Sequence, residues 1–224
     1  MPTVSIQSEL FDFLNELAAN NNRPWFNEQK ERFKILDAEV RKFGEALEQK
    51  MNEHDVVEPV KLYRIYRDVR FSKNKNPYKI NRSGSFTRAT KWRRGGYYWH
   101  LEPGNSFAAG GFWGPNKDDL KRIRQEMAAD AEPLRDILAD ATFKKTFGEL
   151  QGDQLKTAPR DYPKDHPDID LLRYKQFLLI RNFTDKEVMA KKFIDQLNDT
   201  FRRMRPFLDF MSEVLTTDEN GEPI

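Results

Sequence analysis

Residues 95–113 read GGYYWHLEPGNSFAAGGFW. Two aromatic-rich runs, GGYYWHLE and NSFAAGGFW, flank a Pro103-Gly104 break, and Tyr, Trp and Phe favour a pleated, half-buried surface. The stretch therefore predicts an antiparallel hairpin with paired glycines, Gly95-Gly96 and Gly110-Gly111, at its ends. Side chains alternate faces along a strand, so His100 and Glu102 share one face. They can act as an acid–base pair or satisfy each other beside an aromatic core.

On the C-terminal side, Asn116 precedes a helical stripe of Leu120, Ile123 and Met127, and a second short stripe of Leu134, Ile137 and Leu138 follows Pro133. Residues 148–170 hold three prolines and many polar groups, which predicts an irregular arm before a strand in RYKQFLLIRNF. Thr184 and Glu187 have capping-box spacing ahead of an apolar stripe from Val188 to Leu215. On the N-terminal side, Leu10, Phe11, Phe13, Leu14 and Leu17 predict a first helix with Ser8 as its N-cap. After the NNNRPWF break, Phe26, Phe33, Leu36, Val40, Phe43 and Leu47 predict a long helix ending near Met51. VKLYRIYRD reads as a strand, SKNKNPYK as a loop and SGSF as a further short strand. The order is not a run of βαβ units. It predicts an α+β domain over residues 1–215, a mainly antiparallel sheet packed against long N- and C-terminal helices, and a flexible polar tail over 216–224.

The chain of 224 residues is long enough to bury a core without a metal or disulfide staple, and it contains no cysteine. That absence excludes disulfide scaffolds, thiolate-held metal sites and cysteine nucleophiles. No phosphate loop, dinucleotide fingerprint, HExxH, GxSxG or EF-hand pattern occurs, and the histidines, His54, His100 and His166, lack metal-ligand spacing. No metal or cofactor is expected. His166, in KDHPD, reads as a loop hydrogen bond or a proton-exchange group. With a mean hydropathy of −0.83, no run of 18 apolar residues and no basic-then-apolar leader, the protein is expected to be soluble, cytoplasmic and without a membrane partner. Its oligomeric state is left open.

A net charge of only +2 conceals an asymmetry. From Lys61 to Gly96 there are twelve basic residues against the single acid Asp68, so this segment carries +11 and the rest of the chain −9. Arg67, Asp68 and Arg70 end the predicted strand, where a rigid element can aim guanidinium forks at a phosphate or carboxylate. Arg64 and Arg70 on one strand face, with Lys75 and Lys79 closing over them, would form a positive pocket in which Asp68 orients an arginine or accepts a proton. Tyr78 and the other interleaved aromatics offer stacking surface, or else form the core face. Arg23, beside Trp25, can join that surface or sit at a packed helix entrance. The bland alternative is that these cations pair with acids from the helices.

Taken together, NNNRPWF at 20–26, RIYRDVRFSKNKNPYK at 64–79, YYWHLEPG at 97–104, GGFWGP at 110–115 and PRDYPKDHPDIDLLRYK at 159–175 resemble a widespread family of uncharacterised bacterial and fungal proteins. The resemblance spans nearly the whole chain and implies a domain of unknown function with no catalytic assignment to transfer. Asp161 stands where relatives often carry glycine.

Three functions follow. The first is binding of an anionic small molecule or nucleic acid through Arg23, Arg64, Arg67, Arg70, Lys75, Tyr78 and Lys79. The second is a cofactor-independent enzyme for an anionic substrate, using Arg67, Asp68 and Arg70 with His100 and Glu102 as proton-transfer groups. The third is a non-catalytic domain that docks an acidic protein surface.

Overall fold

The computed structural model describes residues 4–218 and 221–223, and it shows the expected α+β class. The quoted stretch is a hairpin, with β3 at Gly96–Leu101, β4 at Ser106–Phe112 and Gly104 at a positive φ of 72° in the turn. Alternation is visible in burial: Tyr97, Trp99 and Leu101 are buried, while Tyr98 and His100 are only partly so. The other strands are β1 (Lys61–Leu62), β2 (Arg82–Thr87) and β5 (Phe177–Phe183), and all five hydrogen-bond in the order β1-β2-β3-β4-β5. β1 runs antiparallel to β2 with Lys61 opposite Ser85.

The helices are α1 (Ser8–Ala19), α2 (Arg23–Glu28), α3 (Lys30–Met51), α4 (Lys117–Ala129), α5 (Glu132–Ala139), α6 (Ala141–Phe147), α7 (Ile169–Leu172), α8 (Asp185–Val188) and α9 (Phe193–Thr216). Several differ from the sequence expectation. Ser8 opens α1 instead of capping it, since Gln7 is the N-cap residue. The long second helix breaks at Gln29, whose ψ of 5° leaves the helical region. The predicted strand after Val60 shortens to two residues plus a bridge between Tyr66 and Tyr78. The Thr184/Glu187 capping box is present, but it caps the four-residue α8, and α9 starts afresh at Phe193. In the predicted polar tail, Thr217 bridges Pro223, and residues 219, 220 and 224 lie outside the described residues.

The chain falls into two compact units interleaved in sequence. Unit 1 comprises the chain up to Phe86, Tyr98–Ala108 and Asn182–Asp199, and unit 2 comprises Thr87–Tyr97, Ala109–Arg181 and the chain from Thr200 onward. In unit 1, α3 packs Phe43 edge-on against Trp99 of β3 at 5.9 Å and stacks it on Phe193 of α9 at 5.8 Å. Gly84 of β2 lies directly under Trp99: a Cβ there would come within 2.6 Å of the indole, so only glycine lets the ring close onto the strand. Around α1 and α2, Phe13, Phe26 and Phe33 form an aromatic cluster joined by Tyr78, which stacks on Phe26 at 4.0 Å. In unit 2, Tyr97 packs on Phe201 of α9 at 5.1 Å, and Phe143 and Phe147 pair along α6. No helix among the described residues is long and apolar enough to cross a membrane.

Candidate functional site

Apart from His166, the sequence-predicted residues fall in unit 1, but they divide among distinct jobs. Asn21 pins the chain at Tyr78, accepting from its backbone N–H and donating to its carbonyl, both at 3.1 Å. Asn22 caps α2 by accepting from the Trp25 N–H. Tyr78 itself is 3% exposed and held between Phe26 and Tyr66, so its ring belongs to the core; burial, foremost, raises its pKa. Arg23 is exposed at the start of α2, near enough for its charge to act on Tyr78.

Residues 65–67 pair with 77–79 through Arg67 N–H to the Pro77 carbonyl (2.9 Å) and Lys79 N–H to the Ile65 carbonyl (2.7 Å), which makes a hairpin of the basic segment. Ile65 is buried, while Arg64 and Tyr66 beside it are exposed. In the loop, Asp68 accepts from the Arg70 backbone N–H and takes its guanidinium in a two-pronged pair at 3.0 and 2.7 Å. Asp68 therefore orients an arginine, one of the roles anticipated for it, and Arg70 holds its carboxyl below the usual range. Lys75 donates to the Val69 carbonyl and ties the loop across itself. Arg67 reaches Ser72 at 3.5 Å, a marginal contact. Among the described residues, no carboxylate pairs with Arg64, Arg67 or Lys79.

Lys79 is the centre of this charge. Backbone pairing places it across from Ile65, between Arg64 and Arg67 in sequence, and its ammonium lies 5.4 Å over the Tyr63 ring. Its pKa is lowered by burial first and then by the fields of Arg82, Arg64 and Arg67. Lys61 approaches the same ring at 5.7 Å. Tyr63 meets Tyr98 edge-on at 6.0 Å, and its hydroxyl bonds to that of Ser85.

From Tyr98 a polar chain continues along β3. Tyr98 Oη lies 2.9 Å from His100 Nδ1, and His100 Nε2 lies 2.8 Å from Glu102 Oε2. A carboxylate can only accept, so Nε2 carries the hydrogen toward Glu102; in the neutral imidazole Nδ1 keeps the lone pair, and Tyr98 donates to it. Phe107 stacks on His100 at 4.8 Å and fixes the ring plane. The His100 and Glu102 side chains are 11% and 18% exposed. Burial, the largest influence, raises the Tyr98 pKa and keeps its phenol protonated as a donor. Sequence reasoning paired His100 with Glu102 and passed over Tyr98, although the same period of two places 98, 100 and 102 on one face. Phe107 was also missed, whereas Tyr63 was among the interleaved aromatics expected to offer stacking surface.

Elsewhere, His166 Nδ1 accepts the Asp168 backbone N–H, the loop-stabilising version of its two readings. A cleft in unit 2 of about 690 Å³, lined in part by Arg122, Glu126, Phe210 and Glu213, contains none of the predicted residues. No group of three or more His, Asp or Glu side chains among the described residues converges as a metal site. Comparison with curated proteins gives no match, and neither does comparison with solved structures. Residues 9–210 match the family described as Conserved hypothetical protein (DUF2461); the match covers most of the 224 residues, and the chain belongs to that family.

Proposed function

We propose that unit 1 binds a phosphate- or carboxylate-bearing ligand at Arg64, Arg67 and Lys79, with Tyr63 and Tyr98 as the adjoining wall. The observation that carries this reading is a cluster of cations without carboxylate partners, one of them partly buried on an aromatic ring. Holding Lys79 there is electrostatically unfavourable in the free protein, and an anion relieves it. Titration calorimetry with pyrophosphate in low-salt buffer tests the idea. Lys79→Gln should weaken binding by about tenfold, the equivalent of one charge-assisted hydrogen bond. A wild-type protein that ignores both pyrophosphate and citrate would sink the reading.

The line of Tyr98, His100 and Glu102 favours a second reading, a cofactor-independent enzyme acting on such an anion. In it, Tyr98 takes a proton from the attacking water as its own hydroxyl proton passes to His100 Nδ1, and Glu102 holds the imidazolium that forms. Asp68, committed to Arg70 on an exposed loop, takes no part. Screening phosphomonoesters and carboxylic esters tests this: turnover should vanish in Tyr98→Phe and His100→Ala, and turnover surviving both removes the reading.

A further inference from the structure

The hairpin of residues 65–79 carries one feature that a small-anion site does not use. Phe71, at its tip, is 97% exposed. A lone exposed apolar side chain is unremarkable by itself. What sets Phe71 apart is its mounting. The loop beneath it is braced by the Asp68–Arg70 fork, by Lys75 on the Val69 carbonyl, and by Asn74 accepting from the Asn76 N–H. The ring is thus presented by an ordered support, with the Arg70 guanidinium 6.0 Å from its centre. A second ring on the same hairpin, Tyr66, is 49% exposed.

The charges are arranged along the hairpin from base to tip: Arg64, Arg67 and Lys79 at the base, Lys73 and Lys75 in the loop, and Asp68 as the single acid. The chain bends at residues 70 and 71, so these cations are spread over both arms of the hairpin and its tip. Cations distributed in this way suit a polyanion better than one phosphate. Exposed rings between them suit a ligand with a flat, apolar group beside each negative charge.

We infer that this hairpin binds single-stranded nucleic acid, with Phe71 stacking on a base and the flanking lysines and arginines on the phosphates. The inference rests on the anion reading above and gives it a partner class. Stacking accepts any base, so recognition is largely independent of sequence. A membrane surface is the less suitable partner, because the tip offers a single apolar side chain and Tyr66 lies back against Tyr78. With five cations lacking a carboxylate, Arg64, Arg67, Lys73, Lys75 and Lys79, log K should fall with log salt at a slope of about −3.5.

The experiment is fluorescence anisotropy of a labelled oligothymidylate of about 15 nucleotides, within the range of single-strand site sizes, over a potassium chloride series. A duplex of equal length and vesicles containing phosphatidylserine form parallel arms. The wild type should bind the single strand, and Phe71→Ala should weaken it by about tenfold while leaving the salt slope unchanged. Because Phe71 lies outside the core and meets only the exposed Arg70, this variant folds as the wild type does, which the unfolding midpoint checks. Preference for the duplex or the vesicles, no binding to the single strand, or an unaltered affinity in Phe71→Ala overturns the inference. Pyrophosphate titration of the same samples separates the two failures. Pyrophosphate bound without oligonucleotide defeats only the nucleic-acid partner, whereas loss of both defeats the anion site as well.

Discussion

The basic segment divides at Ile80 into two stretches that use the same residue types in opposite ways. In the later stretch the arginines are buried or braced and committed. Arg82 pairs with Asp37 of α3 and donates to the Tyr63 carbonyl, Arg88 pairs with Asp209 of α9 and bonds Ser212, and Arg94 pairs with Asp119 of α4. The Arg82 and Arg88 side chains are only 3% and 0% exposed. In the earlier stretch, Arg64, Arg67 and Lys79 have no carboxylate, and Arg70 has only its loop neighbour Asp68. A guanidinium out of water needs a partner, so the later arginines hold the fold together. The earlier cations keep contact with solvent, and with any anion in it.

The largest effect should come from the committed stretch. Arg88→Ala removes a fully buried guanidinium, its pair with Asp209 and its bond to Ser212. The expected loss is about 3 kcal/mol in urea unfolding, less than the worst buried-pair losses because Asp209 can rehydrate. Arg64→Ala should change stability by less than about 0.5 kcal/mol. If the two losses come out alike, the contrast between the stretches is broken.

Lys79→Met sharpens the contrast from the other side. It should abolish most anion binding and raise the melting temperature by roughly 1–2 °C, the shift set by a few tenths of a kcal/mol in a chain of this size. The sign follows from linkage. Folding lowers the Lys79 pKa, so the unfolded chain holds that proton more tightly and the protonated form opposes folding. The wild type recovers stability as pH rises through the lowered folded pKa toward the ordinary lysine range, and its deficit against the variant should narrow there. Thermal melts from neutral to alkaline pH measure it. A lower melting temperature in Lys79→Met at neutral pH would mean that Lys79 is structural.

How much of this was legible in the sequence depended on the range of the interaction. The β3–β4 hairpin was legible because aromatic runs and a Pro-Gly turn are local, and the pairing of His100 with Glu102 followed from the period of a strand. Tyr98 was equally legible and was overlooked among buried aromatics. The fate of the arginines was not legible. Asp37, Asp119 and Asp209 lie 45, 25 and 121 residues from the cations they pair with, and only the folded chain brings them together. The capping box at Thr184 illustrates the same limit. Its local geometry forms as read, yet it cannot say how far the helix runs, and the chain restarts α9 where Phe193 can reach Phe43 and Phe183.

The smallest effect on stability should come from Asp68→Asn. Asp68 and Arg70 form a well-aligned pair, but both are exposed, and pairs of that kind contribute little in water. Asparagine keeps a side-chain oxygen for the Arg70 backbone N–H, so the bend at the loop survives while the only negative charge of the segment is removed. Arg70 is then released beside Phe71 with its charge unopposed. The urea midpoint should stay at that of the wild type. Pyrophosphate and oligonucleotide should each bind about twofold more tightly in low salt, and the gain should fade as salt screens the loop. The wild type should gain the same increment as pH falls through the lowered Asp68 pKa, and the variant should not. Weaker binding in Asp68→Asn would show instead that the loop needs the Asp68–Arg70 ion pair to hold its cations in place.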